Sequence, residues 1–122
     1  MMKLVFCLRR LPSLTREEFQ RYWLERHGPL VRSHAQALGI RRYVQTHTLG
    51  GPTNAVLQAS RGGPDEYDGV AELWWDGPEA LAAATATPEG RAAGAALLED
   101  ERRFIDLARS PLFVAVEHTL IA

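Results

Sequence analysis

The sequence predicts an α+β domain: a four-stranded antiparallel sheet with helices on one face, in the β-α-β-β-α-β order of ferredoxin-like folds. Three observations carry that prediction. Short strand-like runs alternate with longer stretches of helical period. The first long stretch has a complete helix start signal and a glycine stop. The last apolar run, after Pro111, is again of strand type. The 122 residues suit one domain spanning 1–122; chains of this size bury roughly two-thirds of their unfolded surface.

The elements follow in order. Lys3 to Arg9 is apolar at nearly every position, as in a strand covered on both faces, and Pro12 ends it. Thr15 is an N-cap, Glu18 completes a capping box, and Leu14 with Phe19 hold the staple positions. The helix that follows presents Phe19, Tyr22, Trp23 and His27 on one side and Glu17, Gln20, Arg21 and Glu25 on the other. Pro29 has no N–H to donate, so a break or kink is expected around His27–Gly28. A second helical piece then runs from Leu30 to Leu38 and stops at Gly39. Arg42 to Leu49 is the second strand, with Tyr43, Gln45 and His47 on one face and Val44, Thr46 and Thr48 on the other. Leu49 to Tyr67 reads as a long connection rich in glycine and proline, of the kind that shields a site or moves. Val70 to Trp75 is the third strand, and Asp76–Glu79 starts a short alanine-rich helix. Thr87 caps a further helix with Pro88 at its first position; its far end carries Phe104, Ile105 and Leu107. Leu112 to Ile121 is the last strand.

Composition narrows the function. A net charge of −1 provides no basic field for a nucleic-acid backbone. No apolar run approaches the roughly 20 residues that span a bilayer, and the N-terminus has too short an apolar stretch for a signal peptide. The expectation is a cytoplasmic protein with no membrane or nucleic-acid partner. The single cysteine, Cys7, allows no internal disulfide and no cysteine-based metal site, and reads as an inert buried thiol. There is no glycine-rich phosphate loop, no dinucleotide fingerprint, no nucleophile elbow and no HExxH pair. The leading expectation is therefore no cofactor and no metal, with a metal ion or haem as minority readings. Helices on one side of the sheet leave its other face, also apolar in the first and last strands, without a cover. A homodimer packing sheet to sheet would bury it.

The segment Phe19–Val31 (FQRYWLERHGPLV) resembles the helix signature of the EthD family, within the dimeric α+β barrel superfamily, and Tyr67–Trp75 is similar to that family's third strand. The resemblance implies a ferredoxin-like fold and a dimer whose two sheets form a barrel. It also implies small-molecule metabolism: EthD-like proteins are associated with degradation of small organic compounds, including an ether-degradation operon. Related barrels include cofactor-free monooxygenases, polyketide cyclases and muconolactone isomerases. Among these, the methylmuconolactone methylisomerases carry a helix histidine matching His27 and a tyrosine matching Tyr43. Their third-strand cysteine has no counterpart here, where Leu73 or a neighbour stands.

His27 is the first candidate for chemistry. Its imidazole titrates near neutral pH, and burial against Trp23 would favour the neutral, basic form. Its blander role is a helix-terminal cap; the resemblance favours a pocket. Tyr43, Gln45 and His47, alternate residues of one strand, could orient a ligand oxygen in an apolar pocket or could face solvent at an edge. Tyr43 has the stronger case, as the catalytic partner of His27. Phe19, Trp23, Leu73 and Trp75 are the expected pocket walls, with Trp74 and Trp75 on opposite faces. Glu72 is expected to pair with an arginine across the dimer, or to be a buried acid. His34 is barred from a metal pair with His27 by the break, His118 is an edge or interface residue, and Glu99 to Arg103 reads as a solvated helix face. Two functions compete on these grounds. One is a cofactor-independent enzyme of catabolic or polyketide type, an isomerase, lyase or monooxygenase acting on a small apolar ring or carbonyl compound. The other is a non-catalytic protein binding a hydrophobic metabolite.

Overall fold

A computed structural model describes residues 1–122. Its elements are β1 (Met2–Leu8), α1 (Arg16–Tyr22), a π-helical turn (Trp23–His27), α2 (Gly28–Leu38), β2 (Arg42–His47), α3 (Thr53–Arg61), β3 (Gly69–Trp75), α4 (Pro78–Thr85), α5 (Pro88–Glu101) and β4 (Leu112–Ala115). The sheet is antiparallel with strand order β2-β3-β1-β4. This is the ferredoxin-like fold, with α3 added in the β2–β3 connection. No helix is long and apolar enough to cross a membrane.

The start of the first helix follows its sequence signals. Thr15 accepts from the Glu18 N–H, and the Glu18 side chain returns to the Thr15 N–H. The irregularity expected around His27–Gly28 is a π turn and not a break of the helix. In it, the Gly28 N–H reaches back five residues to the Trp23 carbonyl. The widened turn takes in one extra residue, so Pro29 continues the helix without the clash it causes in a regular turn. Gly39, at φ 70°, then ends α2.

Three other expectations change. The 49–67 segment is not structureless, because Thr53–Arg61 is helical. Its helix buries no residue, and its apolar Val56 and Leu57 are exposed. The helix capped by Thr87 ends at Glu101, and Phe104 and Ile105 enter the core from the turn that follows. The last strand ends at Ala115 rather than Ile121, and His118 lies beyond it, exposed.

Register fixes what faces the helices. Tyr43, Leu73, Leu4 and Val114 form one row across the sheet, and Gln45, Ala71, Phe6 and Leu112 the next. The outer face carries Val44, Glu72, Val5 and Phe113, flanked by Trp74 and Cys7. Glu72 pairs with Lys3 of the same chain, which accounts for its charge without a partner arginine. Trp74 lies between the cations of Lys3 and Arg42, with its indole N–H on Glu117. Burial raises the Cys7 thiol above its ordinary value, in keeping with an inert group. Under the helices the core has two clusters. Phe6, Leu8, Phe19, Trp23, Ala71, Phe104 and Ile105 form one, and Val31, Leu38, Ala93 and Leu97 the other. Tyr43 and Leu73 touch both.

Candidate active site

The seam between the two clusters is imperfectly filled. It leaves a cavity of about 40 Å³, walled by Trp23, Tyr43, Leu73 and other apolar side chains, with His27 and Glu101 as its charged or basic lining groups. That volume holds about three water molecules.

His27 reaches this cavity through its helix. The π turn keeps Trp23 and His27 both buried, and the ring packs at 5.0 Å against Phe104. His27 Nδ1 lies 2.8 Å from Asp100 Oδ2 on α5. Asp100 also accepts from the Tyr22 hydroxyl at 2.5 Å and from Arg103 at 3.1 Å. Burial works to raise the Asp100 carboxyl, but the hydrogen bonds from Tyr22, His27 and Arg103 outweigh it and hold the group below its ordinary value. Asp100 is thus a carboxylate, and a carboxylate can only accept, so the His27 proton sits on Nδ1. Burial lowers the His27 pKa more than Asp100 raises it. The ring is neutral at pH 7 and its Nε2 carries a free lone pair. Every side-chain polar atom shut off from solvent has a partner in the chain. Nε2 has none, so it is open to a small molecule.

Tyr43 also lines the cavity. Its hydroxyl oxygen accepts from Gln45 Nε2 at 2.8 Å, leaving the phenolic proton free to donate. Burial raises its pKa, so the phenol stays protonated at neutral pH. The same Gln45 amide donates to the Trp23 carbonyl at 2.8 Å, beside the π turn. His47 hydrogen-bonds Gln45 Oε1 and stacks on Trp23 at 4.4 Å. Gln45 and His47 therefore support Tyr43 and Trp23 without lining the inner cavity. Leu73 and Trp23 line the cavity. Phe19 sits one layer behind, packed on Trp23 and Phe104. Trp75 belongs to another region, where its indole N–H is bonded to the Leu38 carbonyl. No residue of 49–67 lines the cavity.

Two acids escape the sequence reading, which took Glu99 to Arg103 as one solvated run. The buried residues of α5 are Gly90, Ala93, Leu97 and Asp100, a single helical stripe. An aspartate on an otherwise apolar stripe was the available signal. Glu101 follows it onto the cavity wall. Burial there, reinforced by the Asp100 charge, raises its pKa to about 7.

A larger cleft of about 490 Å³ lies outside, between α2 and β2, and includes Arg32, Arg41 and Gln45. Val31 and Tyr43 line both spaces. They form the partition between the cleft and the buried groups. No three His, Cys, Asp or Glu side chains converge to hold a metal ion.

With the geometry in place, comparison with known proteins is informative. A curated-sequence comparison gives no match. Among solved structures, an EthD family protein from Bacillus halodurans superposes with a TM-score of 0.62 at 24% identity, covering 97% of this chain and 100% of that one. An EthD-like protein from Ralstonia eutropha gives 0.61 at 21% identity, with 97% and 96% covered. The cofactor-independent oxygenase SnoaB from Streptomyces nogalater gives 0.53 at 17% identity, with 98% and 95% covered. These likenesses carry the fold. The EthD domain model matches residues 11–108, from the turn before α1 past the Asp100–Glu101 pair, and on that match the chain is a member of the EthD family.

Proposed function

We propose that the protein is a cofactor-independent enzyme acting on a small, largely apolar ring or carbonyl compound, with His27 Nε2 as its base and the Tyr43 hydroxyl holding a substrate oxygen. One observation carries the reading: a buried imidazole held by a carboxylate at Nδ1, with no partner at Nε2, lines a largely apolar cavity. That is the arrangement general-base catalysis needs, since the orienting acid sets the tautomer and burial keeps the base neutral. A substrate enters from the outer cleft as the Val31–Tyr43 partition shifts to admit it, because the inner cavity holds only water-sized guests, and the Tyr43 hydroxyl stays within reach of the substrate oxygen. SnoaB, a neighbour in fold, is named as a cofactor-independent oxygenase, which supports the cofactor-free class without choosing among isomerase, lyase and oxygenase. The working form is a homodimer closed over the outer sheet face, and the lone unpaired Cys7 suits the cytoplasm.

The test is a screen of aromatic ketones and lactones by thermal shift, followed by product analysis. His27→Ala is expected to lower turnover by about 10²-fold or more with the fold and dimer intact. Unchanged turnover in that variant would sink the proposal. The outer cleft of about 490 Å³ suits a second reading, a non-catalytic carrier of a hydrophobic metabolite; binding with no product from any compound would select it.

A further inference from the structure

Resting on the enzymatic reading above, we propose that Glu101 is the acid partner of His27: it enters the reaction protonated and gives its proton to the substrate oxygen while His27 Nε2 takes one from carbon. Three features of the molecule support this. Glu101 lines the same cavity as His27 and Tyr43. Its carboxyl group has no hydrogen bond or ion pair in the chain, yet it is not sealed from small molecules. It follows Asp100 on α5, so one helix end sends one acid to Nδ1 of the imidazole and the next to the cavity that His27 also lines.

The charges around Glu101 agree. On its own helix Asp100 is ionised and disfavours a second negative charge, while Arg102 opposes that effect weakly. From β2, Tyr43 presents a neutral phenol. Across the cavity His27 is neutral. No cation stands inside to hold an ionised Glu101, and its pKa lies at about 7. A carboxylic acid kept protonated in an apolar site is a hydrogen-bond and proton donor rather than an acceptor.

The chemistry closes without a further reactant. His27 Nε2 removes a proton from the carbon beside a carbonyl, and the C–H electrons form a C=C bond. The carbonyl π electrons move to oxygen, which takes the Glu101 proton, giving a neutral enol, an imidazolium and a carboxylate. Returning the proton from His27 to the same carbon, while the enol O–H goes back to Glu101 as the C=O re-forms, restores both groups and exchanges the C–H. Where the substrate carries a β,γ C=C the enol is a dienol, and protonation at its far carbon completes an isomerisation. The substrate class is thus a compact ketone, lactone or enol ester with an acidic C–H, and not one that depends on binding as an anion.

Two measurements decide it on the full-length protein. The first is the carboxyl band of Glu101, isolated by infrared difference against Glu101→Gln across pH. A midpoint near 7 is expected, and one near 4.5 overturns the proposal whatever the activity. The second is loss of the α C–H signal of α-tetralone in D2O, followed by NMR. Wild-type exchange is expected to fall as pH rises past 7. Glu101→Gln should reduce kcat about 100-fold, change KM little and abolish that alkaline limb. Exchange lost in His27→Ala but intact, limb included, in Glu101→Gln overturns the acid role and leaves the enzymatic reading standing. Exchange indifferent to His27→Ala, or absent from the wild type, overturns the enzymatic reading itself.

Discussion

Asp100 satisfies three donors at once, from Tyr22, His27 and Arg103, and each is aimed by its own element. Asp100→Asn keeps the shape and removes the charge. Its amide N–H₂ can meet His27 only if the ring gives up the Nδ1 proton, which moves to Nε2 and extinguishes the base. The expected result is a tautomer switch visible by ¹⁵N NMR, with turnover reduced at least 10²-fold, as seen generally when an orienting aspartate is neutralised. Stability should drop by about 1–3 kcal/mol at pH 7, the usual cost of leaving buried donors unmet. Because the folded-state pKa of Asp100 is depressed, its contribution is present above the ordinary carboxylate value and disappears as pH falls through the folded value. Denaturation at neutral and at strongly acid pH should therefore show the Asp100→Asn penalty shrinking in acid. Glu101 works with the opposite sign. Its pKa rises from 4.5 to about 7 on folding, so the native state holds a proton the unfolded chain releases between those values. Wild-type stability contributed by this group is intact below 4.5 and is lost as pH rises through 7. Glu101→Gln has no such proton, so its melting temperature should gain on wild type between pH 4.5 and pH 7.5. A gap that stays constant over that range would contradict the assignment. His27 contributes the reverse trend, losing stability as pH falls below 6.5, and it cancels in this comparison.

Among the elements, the first helix is the one whose sequence signals were both strongest and most misleading. Its start was legible because Thr15, Glu18 and the Leu14–Phe19 pair act within one turn of each other. Its continuation past Pro29 was not, because the π turn is held from outside: Gln45 on β2 donates to the Trp23 carbonyl, a contact between residues far apart in sequence. The Phe19–Trp23–His27 face and the Tyr43–Gln45–His47 face were legible as periodic patterns, and the structure presses them together. What periodicity could not supply was the partner of His27, since α5 was divided into an apolar part and a charged end instead of being followed as one stripe through Asp100. Gly69 shows how tightly strand and helix meet. A Cβ there would fall 2.4 Å from Trp23 Cζ3 and 2.9 Å from the Thr46 carbonyl oxygen. The indole and the β2 backbone are both fixed, so neither can yield cheaply. Gly69→Ala should cost about 1–3 kcal/mol by overpacking. It should also displace the Trp23 ring from His47, seen as a change in tryptophan fluorescence together with a lower denaturation midpoint. A variant with wild-type stability would show that this contact is softer than the geometry implies.

At the scale of the molecule, surface area argues for a second copy. The chain exposes 7982 Å², whereas compact monomers of 13.6 kDa expose roughly 6,600 Å². The excess of about 1,400 Å² exceeds the roughly 800 Å² each partner buries in a standard interface. The exposed apolar side chains include Leu112, Phe113, Val114 and Val116, each more than half exposed, along one edge of the sheet. These residues are β4 and its extension, and β4 is an edge strand with one set of main-chain groups unpaired. An exposed apolar edge beside the partly covered outer row of Val5, Glu72 and Val44 fits a face that closes on a copy of itself with twofold symmetry. Phe113 lies on that outer row, opposite Val5, and touches neither His27 nor the cavity. Phe113→Glu would bring two like charges toward each other across the twofold axis and desolvate both, a repulsive element that leaves the protomer core untouched. The expected outcome is a protein of about 27 kDa by light scattering for wild type and about 14 kDa for the variant. Circular dichroism should show the same secondary structure in both. Wild type at the smaller mass would mean that the apolar edge is covered by something other than this chain. A variant still at the larger mass would move the interface off the outer sheet face.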